Sequence, residues 1–115
     1  MDQFLFACPC CQFPTLSERG SYDICTICWW EDDGQDNETA NQVWGGPNGP
    51  YSLARARTNF KRHGHMYDVG KGIDVVENPS RARKELLRYV DSVESAAKIE
   101  LELLFRLLEK ERLSR

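Results

Sequence analysis

Apolar residues recur at steps of three and four through the last third of the chain, at Leu86, Val90, Val93, Ala97, Leu101, Leu104 and Leu108. That period puts them in one stripe on an α-helix. Asn78 followed by Pro79 predicts where the helix starts, because the fixed φ and missing N–H of proline suit the first helical position. No Gly or Pro interrupts the run from there to Leu113, so a single long amphipathic helix is expected over residues 78–115. Glu94 with Lys98 and Glu102 with Arg106 would support it as i, i+4 pairs. Toward its end the stripe widens, and Ile99, Leu101, Leu103, Leu104, Phe105, Leu107 and Leu108 cover more than one face. Two readings follow: the helix folds back on its own domain, or it meets a helix of another chain, as in a homodimer.

Upstream the patterns are shorter. Ser52 reads as the N-cap of a helix that ends near His63, stopped by Gly64, with Leu53, Ala56 and Phe60 on one face and Tyr51 as a staple at its start. Met66 to Val76 reads as a short strand. Residues 4–30 read as a hairpin in which Phe4, Leu5 and Phe6 enter one cysteine pair, Tyr22 and Ile24 enter another, and Glu18-Arg19-Gly20-Ser21 makes the turn between. Trp44-Gly45-Gly46-Pro47-Asn48-Gly49-Pro50 cannot be helical.

The first half holds few aliphatic residues and much Gly, Pro, Asp and Asn, too little to bury a sizeable apolar core alone. Its cysteines answer that deficit. Cys8-Pro9-Cys10-Cys11 and Cys25-Thr26-Ile27-Cys28 are two CxxC pairs separated by thirteen residues, enough for a return to the same point. Each spacing lets a tight turn aim both sulfurs at one ion, so Cys8, Cys11, Cys25 and Cys28 predict one structural zinc ion held by four thiolates. Pro9 presets the turn, and Gln12 stands where such a turn commonly carries Gly. Buried or disulfide-bonded cysteines are the bland alternative, weakened by the doubled spacing. Cys10, the odd thiol, has three readings: a filler in the turn, a substitute ligand, or a reactive thiol. His63 and His65 read as surface histidines near a helix end.

Net charge is −3 over 115 residues, but residues 1–79 carry eleven acids against six bases and residues 80–115 seven against nine. Generic phosphate binding needs the opposite field, which argues against nucleic acid for the acidic half. Glu31-Asp32-Asp33-Gly34 fails the spacing of a calcium-binding EF-hand loop and reads as a solvated or partner-facing edge. The glycines after Trp44 lack the Lys-Ser or Lys-Thr of a phosphate loop. Leu5-Phe6-Ala7-Cys8 faintly suggests a lipoprotein cleavage box but has no basic segment or apolar run before it. No stretch reaches membrane-spanning length, and zinc-ready thiols favour a reducing, cytoplasmic setting.

From Cys8 to about Gly64 the chain resembles the cysteine-rich CPCC family of small, mostly bacterial proteins. The shared residues include Cys8-Pro9-Cys10-Cys11, Glu18-Arg19-Gly20-Ser21-Tyr22, Ile24-Cys25, Ile27-Cys28, Trp30-Glu31-Asp32-Asp33-Gly34-Gln35-Asp36, Gly45-Gly46-Pro47-Asn48-Gly49, Ser52-Leu53, Ala56-Arg57 and Asn59-Phe60. The resemblance implies a zinc-ribbon-like module and brings no enzymatic activity with it. The expected architecture is α+β: a zinc-binding module over residues 1–77, with a short hairpin and a short helix, and the long C-terminal helix over 78–115.

Four thiolates fill the shell of a zinc ion and leave no open position for water or substrate, so the metal reads as structural and the protein as no enzyme. The leading expectation is a protein-binding module. Its partner surfaces would be Trp29, Trp30, Glu31, Asp32, Asp33 and Asp36 on the acidic loop, and Leu101, Leu104, Phe105 and Leu108 on the helix. Size, acidity and family context suggest one specific form, an immunity protein that neutralises a toxin, often a basic one, by direct binding. Two alternatives stand beside it: a nucleic-acid-binding zinc ribbon using Arg55, Arg57, Lys61 and Arg62, and a thiol redox sensor using Cys10.

Overall fold

Two short antiparallel strands, β1 (Phe6–Ala7) and β2 (Pro14–Leu16), carry the first cysteine turn at their tip, with Phe6 opposite Leu16 and Ala7 opposite Pro14. A second, shorter ribbon carries the other turn, closed by an antiparallel bridge between Ile24 and Glu31. These features come from a computed structural model that describes residues 5–70, 72–93 and 100–113. The chain divides into two compact units, residues 1–68 and 69–115.

In the first unit, short 3-10 turns at Asn37–Thr39 and Gly46–Asn48 lead to helix α1 (Leu53–His63). The Ser52 hydroxyl accepts the Arg55 N–H at the start of α1, and Gly64, at φ 81°, donates its N–H to the Phe60 carbonyl at the end. Both ends follow ordinary capping chemistry. Leu53, Ala56 and Asn59 face inward, where Leu16, Ile27, Trp30 and Met66 complete an interior built around the buried cysteines. Phe60 is half-buried and meets Phe13 edge to face.

Met66 to Val76 does not form a strand among the described residues. Its first backbone donors go to scattered partners instead of a ladder: Met66 N–H donates to the Cys28 carbonyl, Tyr67 N–H to His65 Nδ1 and Asp68 N–H to the Tyr51 hydroxyl. Gly70 and Gly72 then turn the chain at φ 75° and 73°, and a single helical turn follows as α2 (Asp74–Glu77).

The single long helix is corrected to two. Helix α3 (Arg81–Ser92) ends as Val93 turns extended at φ −90° and ψ 118°, and helix α4 (Leu101–Leu113) packs back against it. Tyr89 on α3 takes the Glu100 N–H on its hydroxyl at 2.7 Å, tying one helix end to the other's start. Leu86 and Val90 of α3 and Leu104, Leu107 and Leu108 of α4 are buried. The widened stripe on α4 therefore includes the face that α3 covers. A buried ion pair, Arg83 to Glu111 at 3.7 Å, also joins the two helices. The expected Glu94–Lys98 pair lies outside the described residues.

The start of α3 also shifts by two residues. Asn78 ends α2, giving its N–H to the Asp74 carbonyl and its Nδ2 to the Asp74 carboxylate, while Ser80 caps α3 by accepting the Arg83 N–H. Among the described residues, no helix is long and apolar enough to cross a membrane.

Candidate metal centre

The two cysteine turns share one backbone hydrogen-bond pattern. In the first, Cys8 N–H donates to the Phe13 carbonyl and Gln12 N–H to the Cys8 carbonyl; in the second, Cys25 N–H donates to Trp30 and Trp29 N–H to Cys25, all at 2.8–2.9 Å. Backbone N–H groups inside each turn point at its first sulfur: Cys10 N–H to Cys8 Sγ at 3.4 Å, and Cys28 N–H to Cys25 Sγ at 3.5 Å. The residue after the second cysteine is left-handed in both, Gln12 at φ 70° and Trp29 at φ 69°. A non-glycine residue there costs about 1–2 kcal/mol. Gln12 offsets part of it by donating its Nε2 to the Pro9 carbonyl at 3.1 Å, and Trp29 by stacking on His65 with centroids 5.8 Å apart.

These turns bring Cys8, Cys11, Cys25 and Cys28 into one buried cluster whose sulfurs all lie within 4.8 Å of one another. Cys8 and Cys28 sulfurs are 3.6 Å apart, as are those of Cys11 and Cys25. Corners of a tetrahedron with metal–sulfur bonds of about 2.3 Å lie about 3.8 Å apart, so the cage suits one metal ion. No disulfide competes, because all five cysteines are free. Cys10 is buried too, but it stands outside the quartet and against Cys28.

The protonation pattern of the bare quartet is that of closely packed, buried thiols. Burial pushes the Cys11 and Cys28 thiols well up. Cys8 also rises: its hydrogen bond with Cys11 pulls it down, but Cys25, Cys28 and burial outweigh that pull. Cys25 alone goes down, because hydrogen bonds from Cys11, Cys28, Cys8 and the Cys28 backbone overcome the effect of burial. Thr15 adds a hydroxyl donor to Cys25 Sγ at 3.0 Å. A water-excluded site tolerates little uncompensated negative charge, and a divalent ion supplies what four thiolates require.

His65 is not a surface residue. It is 6% exposed, stacked between Trp29 and His63, and it accepts the Tyr67 N–H on Nδ1.

The acidic loop turns inward at Asp32, while Glu31 and Asp33 are half-buried and Asp36 stays exposed. Asp32 is fully buried: its carboxylate takes Arg19 Nε at 2.9 Å, Gly20 N–H at 2.6 Å and Gly34 N–H at 3.2 Å. Asp36 takes Arg19 at 3.1 Å and caps the turn at Asn37, while Asp33 takes the Gln35 backbone and side chain. Trp30 is fully buried and Trp29 8% exposed, so the exposed tryptophans expected here are not found; Trp44, at 48%, is the exposed one. Glu31 is half-buried. On the second unit, Leu104 and Leu108 are buried inside the helix pair, Phe105 is half-buried and Leu101 is exposed.

Several residues that build the centre gave no sign in the sequence of which partners they hold, although Arg19, Asn48 and Arg57 stand in the family motif. Asn48, which reads as a loop residue, is buried and brackets Glu31, accepting its N–H on Oδ1 and donating Nδ2 to its carbonyl at 2.7 Å. Arg57 reaches from α1 to the first turn, donating Nε to the Pro9 carbonyl and its terminal nitrogen to Asn37, both at 2.8 Å. Thr15 and Arg19 are likewise committed to distant partners. Outside the cysteine pairs, spacing along the chain does not reveal these contacts across 10 to 48 residues.

A small mixed fold with a two-stranded hairpin, helices and a buried four-cysteine metal cluster is the class that these features define. The chain belongs to the cysteine-rich CPCC family, whose model matches residues 6–82. No curated protein and no solved structure is significantly similar to it.

Proposed function

We propose that this protein is a protein-binding module whose single structural metal ion is zinc. The observation that carries the metal part is the closed, buried quartet of thiols, a donor set that suits zinc and leaves no ligand position for substrate. Staples of this kind stabilise chains too small for a sufficient apolar core. The binding part rests on what stays outside once Asp32, Trp29 and Trp30 are buried. Tyr22, Ile24, Val43 and Trp44 are 58%, 54%, 58% and 48% exposed on the zinc-bearing unit. Of these, Trp and Tyr are the residue types that most often anchor an interface. Neutralisation of a basic toxin, in the manner of an immunity protein, is the specific form that the acidic balance favours.

The nucleic-acid reading loses part of its patch. Arg55 is paired with Asp68 at 2.5 Å, and Arg57 is spent on Pro9 and Asn37. The test is to capture partners on the full metal-loaded chain and to repeat the capture with Trp44→Ala and Tyr22→Ala. One protein retained by the native chain and lost from a variant supports the reading. Salt-sensitive retention of unrelated nucleic acids, with no protein, overturns it.

A further inference from the structure

We propose that the backbone edge at Ile24 is a docking strand for an extended, basic segment of the partner protein. The inference rests on the protein-binding reading and names the surface that would carry it.

The second ribbon has two edges, and only one is closed. Asp32 N–H donates to the Asp23 carbonyl and Cys25 N–H to the Trp30 carbonyl, which makes Ile24 and Glu31 a pair whose own N–H and C=O groups point away from each other. On the Glu31 side those groups meet the Asn48 side chain, whose amide supplies the acceptor and the donor that a third strand would supply. On the Ile24 side neither group has a partner among the described residues, and Ile24 is 54% exposed. The ladder stops there with its next position open to solvent, the arrangement on which strand addition depends.

Side chains next to that edge indicate what would add. Tyr22, two residues before Ile24, is 58% exposed and sits at φ 64°, a conformation that costs a bulky residue energy without burying its ring. Among the described residues the Asp23 carboxylate is bonded to Ser17 and the Glu18 backbone and Glu18 to Ser21, while Arg19 is consumed by Asp32 and Asp36. Glu31 directly faces Ile24 across the ribbon and forms no ion pair among the described residues. An apolar pair among uncompensated carboxylates fits a strand of alternating apolar and cationic residues. A second copy of this chain fits poorly, because self-pairing at Ile24 would bring each Asp23 and Glu31 toward its own copy.

The probe is a blocked peptide of alternating Lys and Val, titrated at low ionic strength into the full zinc-loaded chain and followed by amide NMR. The expected result is a shift of the Ile24 amide with slowed hydrogen exchange, and binding weakened about tenfold by Ile24→Pro and by Glu31→Lys. Ile24→Pro removes an N–H that makes no internal bond; its zinc content reports whether it folds. If it does not, the same peptide N-methylated on alternate residues removes the ladder donors from the probe instead, and loss of binding is again expected. Equal binding of a plain polylysine peptide, no protection at Ile24, or concentration-dependent dimerisation through this edge without peptide would each overturn the proposal. A captured partner whose affinity is unchanged by Ile24→Pro but lost in Trp44→Ala would overturn strand docking while leaving the protein-binding reading intact.

Discussion

Gln12 and Trp29 hold the same left-handed backbone, at φ 70° and 69°, each one residue past the second cysteine of its turn. The same geometry is held in two ways, by a local hydrogen bond to Pro9 at Gln12 and by ring packing on His65 at Trp29.

Substitution at these two positions should therefore diverge. Gln12→Gly relieves the backbone cost and loses one partly exposed hydrogen bond, so the melting temperature of the metal-loaded protein should change little, within about 1 kcal/mol. Trp29→Gly relieves the same cost but removes a buried ring, and should destabilise by about 3 kcal/mol or more in the same thermal unfolding experiment.

Metal analysis should find one zinc per chain, released as pH falls because the thiols that burial and neighbours raise take back their protons in competition with the ion. Cys25→Ser and Cys28→Ser should lose the metal and unfold the first unit. Cys10→Ser should keep it. If Cys10→Ser empties the site and Cys11→Ser does not, the ligand set is wrong.

Asn48→Ala should strand the Glu31 N–H and carbonyl, at a cost of about 1–3 kcal/mol, read by chemical unfolding. Asn48→Asp keeps the acceptor but loses the donor and adds a charge near Asp33, so it should not rescue the loss.

Within the helix pair, Arg83→Ala or Glu111→Ala alone should cost about 3–5 kcal/mol, because each leaves the other charge buried without it. Replacing both by apolar residues of similar volume should be close to neutral. Circular dichroism during urea unfolding separates the two cases.

Asp23 and Asp36 contribute to the acid limb. Hydrogen bonds from Ser17 lower Asp23 against the opposing effect of burial, and the Asn37 N–H followed by Arg19 lowers Asp36. Below the ordinary aspartate value of 3.8 the unfolded chain binds more protons than the folded one, so their contribution, full above that value, is lost as pH falls through the lower folded values. Asp36→Asn should flatten this limb in unfolding measurements across that range.

The motifs legible from sequence were the local ones. Ser52 and Gly64 bound α1 because capping chemistry operates within a few residues. Asn78-Pro79 misplaced the start of α3 by two residues, since Asn78 was equally suited to end a turn and Ser80 to begin a helix. The long helix failed for a different reason. Its stripe continues through Val93 without a Gly or Pro, and only the packing of α4 on α3 shows that the chain reverses.

By itself the sequence determined the four-cysteine quartet, because each CxxC spacing forces its sulfurs together through a few backbone dihedrals. It also determined the caps of α1 and several apolar positions, Leu86, Val90, Leu104 and Leu108, that the last two helices bury. Only the tertiary structure decided which carboxylates and tryptophans face water. Asp32 and Trp30 look like surface recognition residues in the chain, yet Arg19, two glycine N–H groups and the cysteine turns enclose them. Exposure depends on what folds over a residue from far along the chain, and no local pattern encodes that.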